Sequence, residues 1–402
     1  MSPVLRCHRC DERYEDATRV RCACGEPLWF EPDTTAFAWA DCRDHDGMWR
    51  YEPLLPIDRP DGVARAAGGT PLVRSRRLDD AAGCRVYVKD EGEQPTGAYK
   101  DRGSAVAVPH AVETGGDAVG TVSYGNMAMS TAAHAASLGR ECVVLVPDDI
   151  PAVRLALIDQ YDPTIVRVDG DYGALYGDAL DLSTELPIAI LVSDAPARIS
   201  GYKTALFEIC EAFAPDAPDA LVLPTSSGGF ASGIWRGVRD LETAGLLDDP
   251  PRIHLVQTAA SDPITRAFDA GETDPTPLSP EETSETIAHS IGNPDPPSGS
   301  RALAAVRDTG GAVVSVDDDE IRTAQRRFAV DGGFCVEPAS AASLAGASVL
   351  SERGEIADDD DVVLIPTGTG FKEFGTDGDS VATERTSRAE LPDRLAALLG
   401  VR

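Results

Sequence analysis

From about residue 85 the sequence alternates short apolar runs with helix-like stretches. The runs are CRVYVKD, AVGTVS, ECVVLVP, TIVRVDG, PIAILVS, ALVLPT, RIHLVQT and DVVLIPT; between them lie segments such as MAMSTAAHAASLG, KTALFEICEAF and GIWRGVRDLE. Short apolar strands separated by helices imply parallel pairing through crossovers, so the expected fold is α/β, with open twisted sheets covered by helices on both faces. At 402 residues the chain exceeds one ordinary domain. No apolar run approaches the ~20 residues of a membrane span. The start MSPVLRCHRC carries no apolar signal core. The expectation is a soluble cytoplasmic protein without membrane partners.

Charge narrows the partners further. The formal net charge is −31, and the acids run along the whole chain. A field of that sign repels nucleic acid and anionic lipid. Of the 36 basic residues only Lys89, Lys100, Lys203 and Lys372 are lysines. An arginine-rich, lysine-poor acidic surface fits a halophilic protein, because molar salt shortens screening to ~3 Å and removes carboxylate self-repulsion. Chemistry that needs an amine therefore has four places to look.

Nine cysteines fall into two groups. Cys7, Cys10, Cys22 and Cys24 form two tight knuckles, CHRC and CAC, with strand-like stretches between and after them; Cys42, Cys84, Cys142, Cys210 and Cys335 are scattered. Four soft thiolates on a small β ribbon suit tetrahedral zinc and leave no open coordination position, which makes the metal structural. Residues 1–35 are thus expected to be a separate zinc-ribbon-like module that folds with its metal.

Three turns rich in glycine or serine each follow an apolar strand: Ser123-Tyr124-Gly125-Asn126, Thr225-Ser226-Ser227-Gly228-Gly229, and the turn in IPTGTGFKE around Thr367. Ligands bind at the carboxyl ends of strands in open parallel sheets, and a helix start there offers N–H groups to an anion. The 226–229 turn is the best phosphate cradle. Neither a GxGxxG nor a Walker lysine is present. The segment KDEGEQPTGAYKDRG places Lys100 after a Pro-Thr-Gly turn and before a helix start. In a chain nearly stripped of lysine, this points to an amine used as a nucleophile and base. The bland alternative pairs Lys100 with Asp101 on the surface. Residues 271–300 read as a surface excursion with one short helix.

The segment QPTGAYKDRG resembles the cofactor-lysine motif NPTGSFKDRG of the threonine synthase family. SYGN, GGFASGIWRG, CVEPASAASLAG and IPTGTGFKE are similar to further motifs of that family, in the same order. The resemblance implies a fold-type II pyridoxal phosphate enzyme like the tryptophan synthase β chain. Residues 36–104 and 205–375 would form the large domain, 105–204 the small one, and 376–402 an acidic tail with a short helix. It implies that Lys100 holds pyridoxal 5′-phosphate as a Schiff base, that Asn126 bonds its phenolic oxygen, that Ser226, Ser227, Gly228 and Gly229 hold its phosphate, and that Thr367 faces the ring nitrogen. The implied lyase reaction converts O-phosphohomoserine and water to L-threonine and phosphate. Ser123, Ser193 and Arg198 would bind the substrate, and a homodimer is implied.

Three positions depart from the family pattern. Met127, Val192 and Phe230 stand where polar residues are usual. They keep open an alternative: a paralogous lyase or synthase acting on another amino acid, such as serine, threonine or phosphoserine.

Overall fold

The computed structural model describes residues 4–372, except Tyr124, Asp149, Pro151, Gly170 and Asp171, together with Leu398. Met1–Phe371 form one compact unit and Lys372–Arg402 a second. The acidic tail and its expected helix fall almost wholly outside the described residues.

Strands β1 (Val4–Cys7), β2 (Arg13–Tyr14) and β3 (Leu28–Glu31) make a three-stranded antiparallel ribbon in the order β2-β1-β3. The chain then runs through short 3-10 turns to β4 (Leu72–Arg74) and β5 (Arg85–Lys89). β6 (Ala118–Val122), β7 (Glu141–Pro147), β8 (Thr164–Val168) and β9 (Ile188–Ile190) follow, and then β10 (Ala220–Pro224), β11 (Arg252–Thr258), β12 (Val313–Val316) and β13 (Asp361–Leu364). A six-stranded sheet has the order β12-β11-β10-β13-β5-β4, and only edge strand β4 is antiparallel. A four-stranded parallel sheet has the order β8-β7-β6-β9. The eight apolar runs are all strands. β4 and β12 escape the sequence reading, because each is short and flanked by charged or glycine-rich residues.

The inner strands of both sheets are buried on both faces, and alternation along them shows how. On β10, Leu221 and Leu223 pack into a cluster with Ile253, Leu255 and Val363, whereas Ala220 and Val222 pack opposite with Val86, Val88, Val256 and Leu364. On the small sheet, Val119, Val144 and Val146 face one cluster, and Val122, Leu145 and Ile190 the other. Each fully buried Val, Leu or Ile contributes on the order of 1.5–3 kcal/mol.

The ribbon is less separate than its sequence suggests. Leu5, Cys7, Cys22, Leu28 and Phe30 belong to the same buried cluster as Trp49, Val106 and Val144, and Trp29 joins the core beside Tyr202 and Trp235. A thirty-residue ribbon has too little apolar surface to close its own core, so it borrows one.

Below the cleft lies a four-charge cluster. Arg102 donates to Glu91 through Nε (2.7 Å) and Nη2 (2.8 Å), and to Glu208 through Nη1 and Nη2 (both 2.7 Å). Lys89 Nζ donates to Glu208 Oε2 and to the Thr70 carbonyl, each at 2.6 Å. Two cations meet two carboxylates, so the charge cancels. The guanidinium and ammonium hold Glu208 down to about 2 against its burial. Lys203 is likewise buried, 2.7 Å from Asp240. Two of the four lysines are therefore structural.

Removing the cation from this cluster leaves two buried carboxylates short of a partner. Arg102→Met should cost ~3–5 kcal/mol in denaturant unfolding, the range for breaking a buried pair. A loss below ~1 kcal/mol would show that the cluster holds nothing in place.

Candidate active site

Five strand ends converge on one cleft. β5 leads through the Gln94–Gly97 turn, closed by Gly97 N–H donating to the Gln94 carbonyl at 2.8 Å, into the helix Lys100–Glu113. β6 delivers Ser123 and Asn126, β9 delivers Ser193, β10 delivers Ser226 and Ser227, and β13 delivers Thr367. All of these side chains line the cleft together with Lys100.

Asp101 does not pair with Lys100. Its carboxylate accepts from Thr96 N–H (2.6 Å), Thr96 Oγ1 (2.8 Å) and Ser130 Oγ (2.5 Å), fixing the turn from beneath. Lys100 is left facing the cleft, with Nζ 4.6 Å from the Tyr99 ring centroid and 5.7 Å from that of Tyr202. Burial and then the positive charge of Arg198 push its amine down to about 7, while Glu337 pulls the other way. A large share of this amine is neutral at physiological pH, as a nucleophile must be.

The 226–229 turn forms a close-fitting cradle. Gly228 has φ +79°, and a Cβ there would lie 2.6 Å from the Ser298 carbonyl; at Gly229 it would lie 2.9 Å from the Ser193 carbonyl. Only glycine fits both positions. They open the helix Gly229–Thr243, whose start has no side-chain cap and directs its dipole at the cleft beside Ser226 and Ser227. Across from it, Thr367 Oγ1 lies 3.1 Å from Ser340 Oγ. Asn126 Nδ2 donates to Glu337 at 3.0 and 3.2 Å. An amine, an anion cradle and a hydroxyl clamp in one cleft fit pyridoxal phosphate.

The structure relocates several expectations. Arg198 does not line the cleft. It is fully buried, and its guanidinium donates to Ser104 Oγ (2.8 Å), Thr131 Oγ1 (2.7 Å) and the Leu191 carbonyl (3.2 and 3.3 Å), all neutral acceptors. Among the described residues, the guanidinium that lines the cleft is that of Arg154, from helix Ala152–Asp159. Of the three departures only Met127 reaches the cleft. Val192 packs in the small-sheet core, and Phe230 stacks on Tyr99 at 4.3 Å. The 271–300 excursion is no mere surface loop, because residues 289–294 form a wall of the cleft. Glu337, within CVEPASAASLAG, also lines the cleft, and its local sequence carries no signal for that position. Arg154 stands in an ordinary amphipathic run that carries no signal.

The knuckle sulfurs gather as expected. Cys7 and Cys24 Sγ are 3.6 Å apart, Cys10 and Cys22 3.5 Å, Cys10 and Cys24 3.7 Å, and all four lie within 4.8 Å of one another. Tetrahedral zinc with ~2.3 Å bonds needs sulfur separations of about 3.8 Å, so the set fits that ion.

A profile of the family described as "Pyridoxal-phosphate dependent enzyme" matches residues 63–368. Threonine synthase of Methanocaldococcus jannaschii is 36% identical over 383 residues, covering 92% of this chain and 93% of that enzyme. Threonine synthase of Mycobacterium leprae is 36% identical over 329 residues, covering 81% and 88%. Among solved structures, maize serine racemase superposes with a TM-score of 0.63 at 23% identity, covering 82% of this chain and 92% of that one. Threonine deaminase isoform 2 of Solanum lycopersicum gives 0.65 at 20%, covering 94% and 98%. These two establish the fold alone.

The depressed amine sets a pH dependence. Cofactor-free protein should condense with pyridoxal phosphate at a rate that rises with pH as Lys100 loses its proton, half-maximal near about 7. A midpoint near the ~10.4 of an ordinary lysine would contradict the burial argument.

Proposed function

The chain belongs to the pyridoxal-phosphate dependent enzymes and, within them, to the threonine synthase family; from that premise we propose that it converts O-phosphohomoserine and water to L-threonine and phosphate. No helix among the described residues is long and apolar enough to cross a membrane.

The observation that carries this reading is a second set of anion-binding groups in the cleft. The 226–229 cradle is matched to the cofactor's phosphate. Ser193 Oγ is buried with no hydrogen-bond partner, and Arg154 also faces the cleft. A substrate with its own phosphate uses both. We assign Arg154 the contact expected of Arg198, with Arg198 adding a positive field from behind the wall. Val192 packs in the small-sheet core and Phe230 packs behind Tyr99, so neither lines the cleft, which weakens two of the three reasons for another substrate.

Bound here, pyridoxal phosphate supplies the electron sink that stabilises negative charge at the substrate's α-carbon. Lys100 Nζ, neutral near pH 7, takes the α-proton and returns protons as the reaction advances. Lys100 also takes one β-proton, the electron pair left behind forms the Cβ–Cγ double bond, and the Cγ–O bond breaks with phosphate taking the bonding pair. Water oxygen adds at Cβ, and Cγ gains a proton to become the methyl of threonine. Arg154 and Ser193 hold the phosphate while its negative charge grows. Asn126, oriented by Glu337, and Thr367, paired to Ser340, fix the plane in which this happens.

The knuckles hold one structural zinc in this reading, and the protein works in a cytoplasm of molar salt. Its −31 charge and near absence of surface lysine support that setting.

Assays of phosphohomoserine turnover in molar and in ~0.1 M KCl should release inorganic phosphate, with activity falling at low salt as the Debye length grows to ~10 Å. Arg154→Gln should raise KM by tens- to thousands-fold, the ~2–5 kcal/mol of a desolvated charge-assisted contact. Wild type that releases no phosphate but forms a 2-oxo acid from serine would overturn the proposal. An Arg154→Gln variant with unchanged KM would return the phosphate role to Arg198.

A further inference from the structure

One side chain of the ribbon reaches the buried groups behind the cleft wall. Arg21 immediately precedes Cys22, one of the four clustered thiols. Its Nη2 donates to Tyr176 Oη at 2.9 Å and lies 3.0 Å from Asp194 Oδ2; Tyr176 Oη donates in turn to Asp194 Oδ1. Asp194 is fully buried, and its position has two consequences. It follows Ser193 directly, and the Ser193 carbonyl bounds the space at Gly229. It also accepts from Ser298 Oγ at 3.3 Å.

Ser298 carries the contact onward. Its N–H donates to the Ser227 carbonyl at 2.9 Å, and its own carbonyl bounds Gly228. Arg301 Nη2 donates to Ser298 Oγ at 3.0 Å, and Arg301 Nη1 reaches back to the Leu28 carbonyl of β3 at 3.3 Å. Both flanks of the phosphate cradle thus hang on one buried carboxylate. Among the described residues, the cation in direct contact with that carboxylate comes from the ribbon.

We propose that Arg21 is a positioning residue through which the ribbon, held by its metal, braces the cofactor-phosphate cradle. Loss of the metal frees Cys22 and with it Arg21. Asp194 is then left in the interior without its ion-pair partner, a state that forces local rearrangement. Ser193 and Ser298 shift with it, and the cradle loosens. The ribbon is therefore a second support for the site, acting from outside it as outer-shell partners act on metal ligands. Coupling is reciprocal, so a filled cradle tightens the ribbon's hold on its metal.

This inference rests on the cofactor reading, and the test separates the two. Cofactor-free, metal-loaded protein is titrated with pyridoxal phosphate and followed by absorbance, for wild type, Arg21→Ala and Arg21→Lys, each before and after chelation of the metal. Arg21→Ala should weaken binding ten- to a hundredfold, and Arg21→Lys should recover most of it. Chelation should weaken wild type by a similar factor and change Arg21→Ala little further, because the brace is already gone. Wild type that binds no pyridoxal phosphate would sink the cofactor reading itself. Wild-type binding with Arg21→Ala within twofold of it, or an equal chelation effect in both proteins, would overturn the brace alone. Should Arg21→Ala fail to fold, backbone hydrogen exchange at residues 226–229 of wild type replaces it. Exchange there should quicken on chelation, and unchanged exchange would refute the proposal.

Discussion

Arg102 clamped between Glu91 and Glu208 is the contact on which the rest of the site depends. The guanidinium is fully buried two residues beyond Lys100, on the first turn of the same helix. Its two carboxylate partners come from the segment after β5 and from helix Thr204–Phe213, so one side chain ties three parts of the chain together. A bidentate fork in a dry site fixes orientation as well as distance. With Asp101 holding the preceding turn through Thr96 and Ser130, the backbone around Lys100 has little freedom. Its amine is aimed by neighbours that have no chemical part to play.

The charge of the protein makes the cleft's electrostatics more pointed. A chain of −31 has placed its cations deliberately: Lys89, Lys203, Arg102, Arg198 and Arg301 are all buried or nearly so. Arg198 is the extreme case. It is held only by hydroxyls and a backbone carbonyl, so its charge is not cancelled locally and acts on Lys100. Burial does most to lower the Lys100 amine and the Arg198 charge adds to it; a positive field of this kind is also one that favours an anionic ligand.

Much of this was legible in the sequence, and the failures are instructive. The strand runs, the Lys100 turn, the 226–229 cradle and the four thiols are local patterns whose physics is carried by a few adjacent residues. That Arg154 and Glu337 line the cleft was not legible, because it depends on where a helix lands after folding. Arg198, expected at the substrate, is buried off the cleft lining for the same reason: a motif gives the order of residues, not which face of a helix turns inward. The ribbon was read as separate because its cysteines form a closed pattern. Its attachment runs instead through Leu5, Trp29 and Arg21, each unremarkable in isolation. The wall at 289–294 looked like a loop because Pro, Ser and Glu dominate it, yet a wall needs backbone and fixed turns rather than a hydrophobic period.

The claim that everything else assumes is that one amine among four carries the cofactor. Borohydride reduction of the protein with pyridoxal phosphate, followed by peptide mapping, reads it directly. The account predicts the pyridoxyl group on Lys100 alone, because Lys89 and Lys203 are buried against Glu208 and Asp240. A pyridoxyl group on Lys89, Lys203 or Lys372 would contradict it.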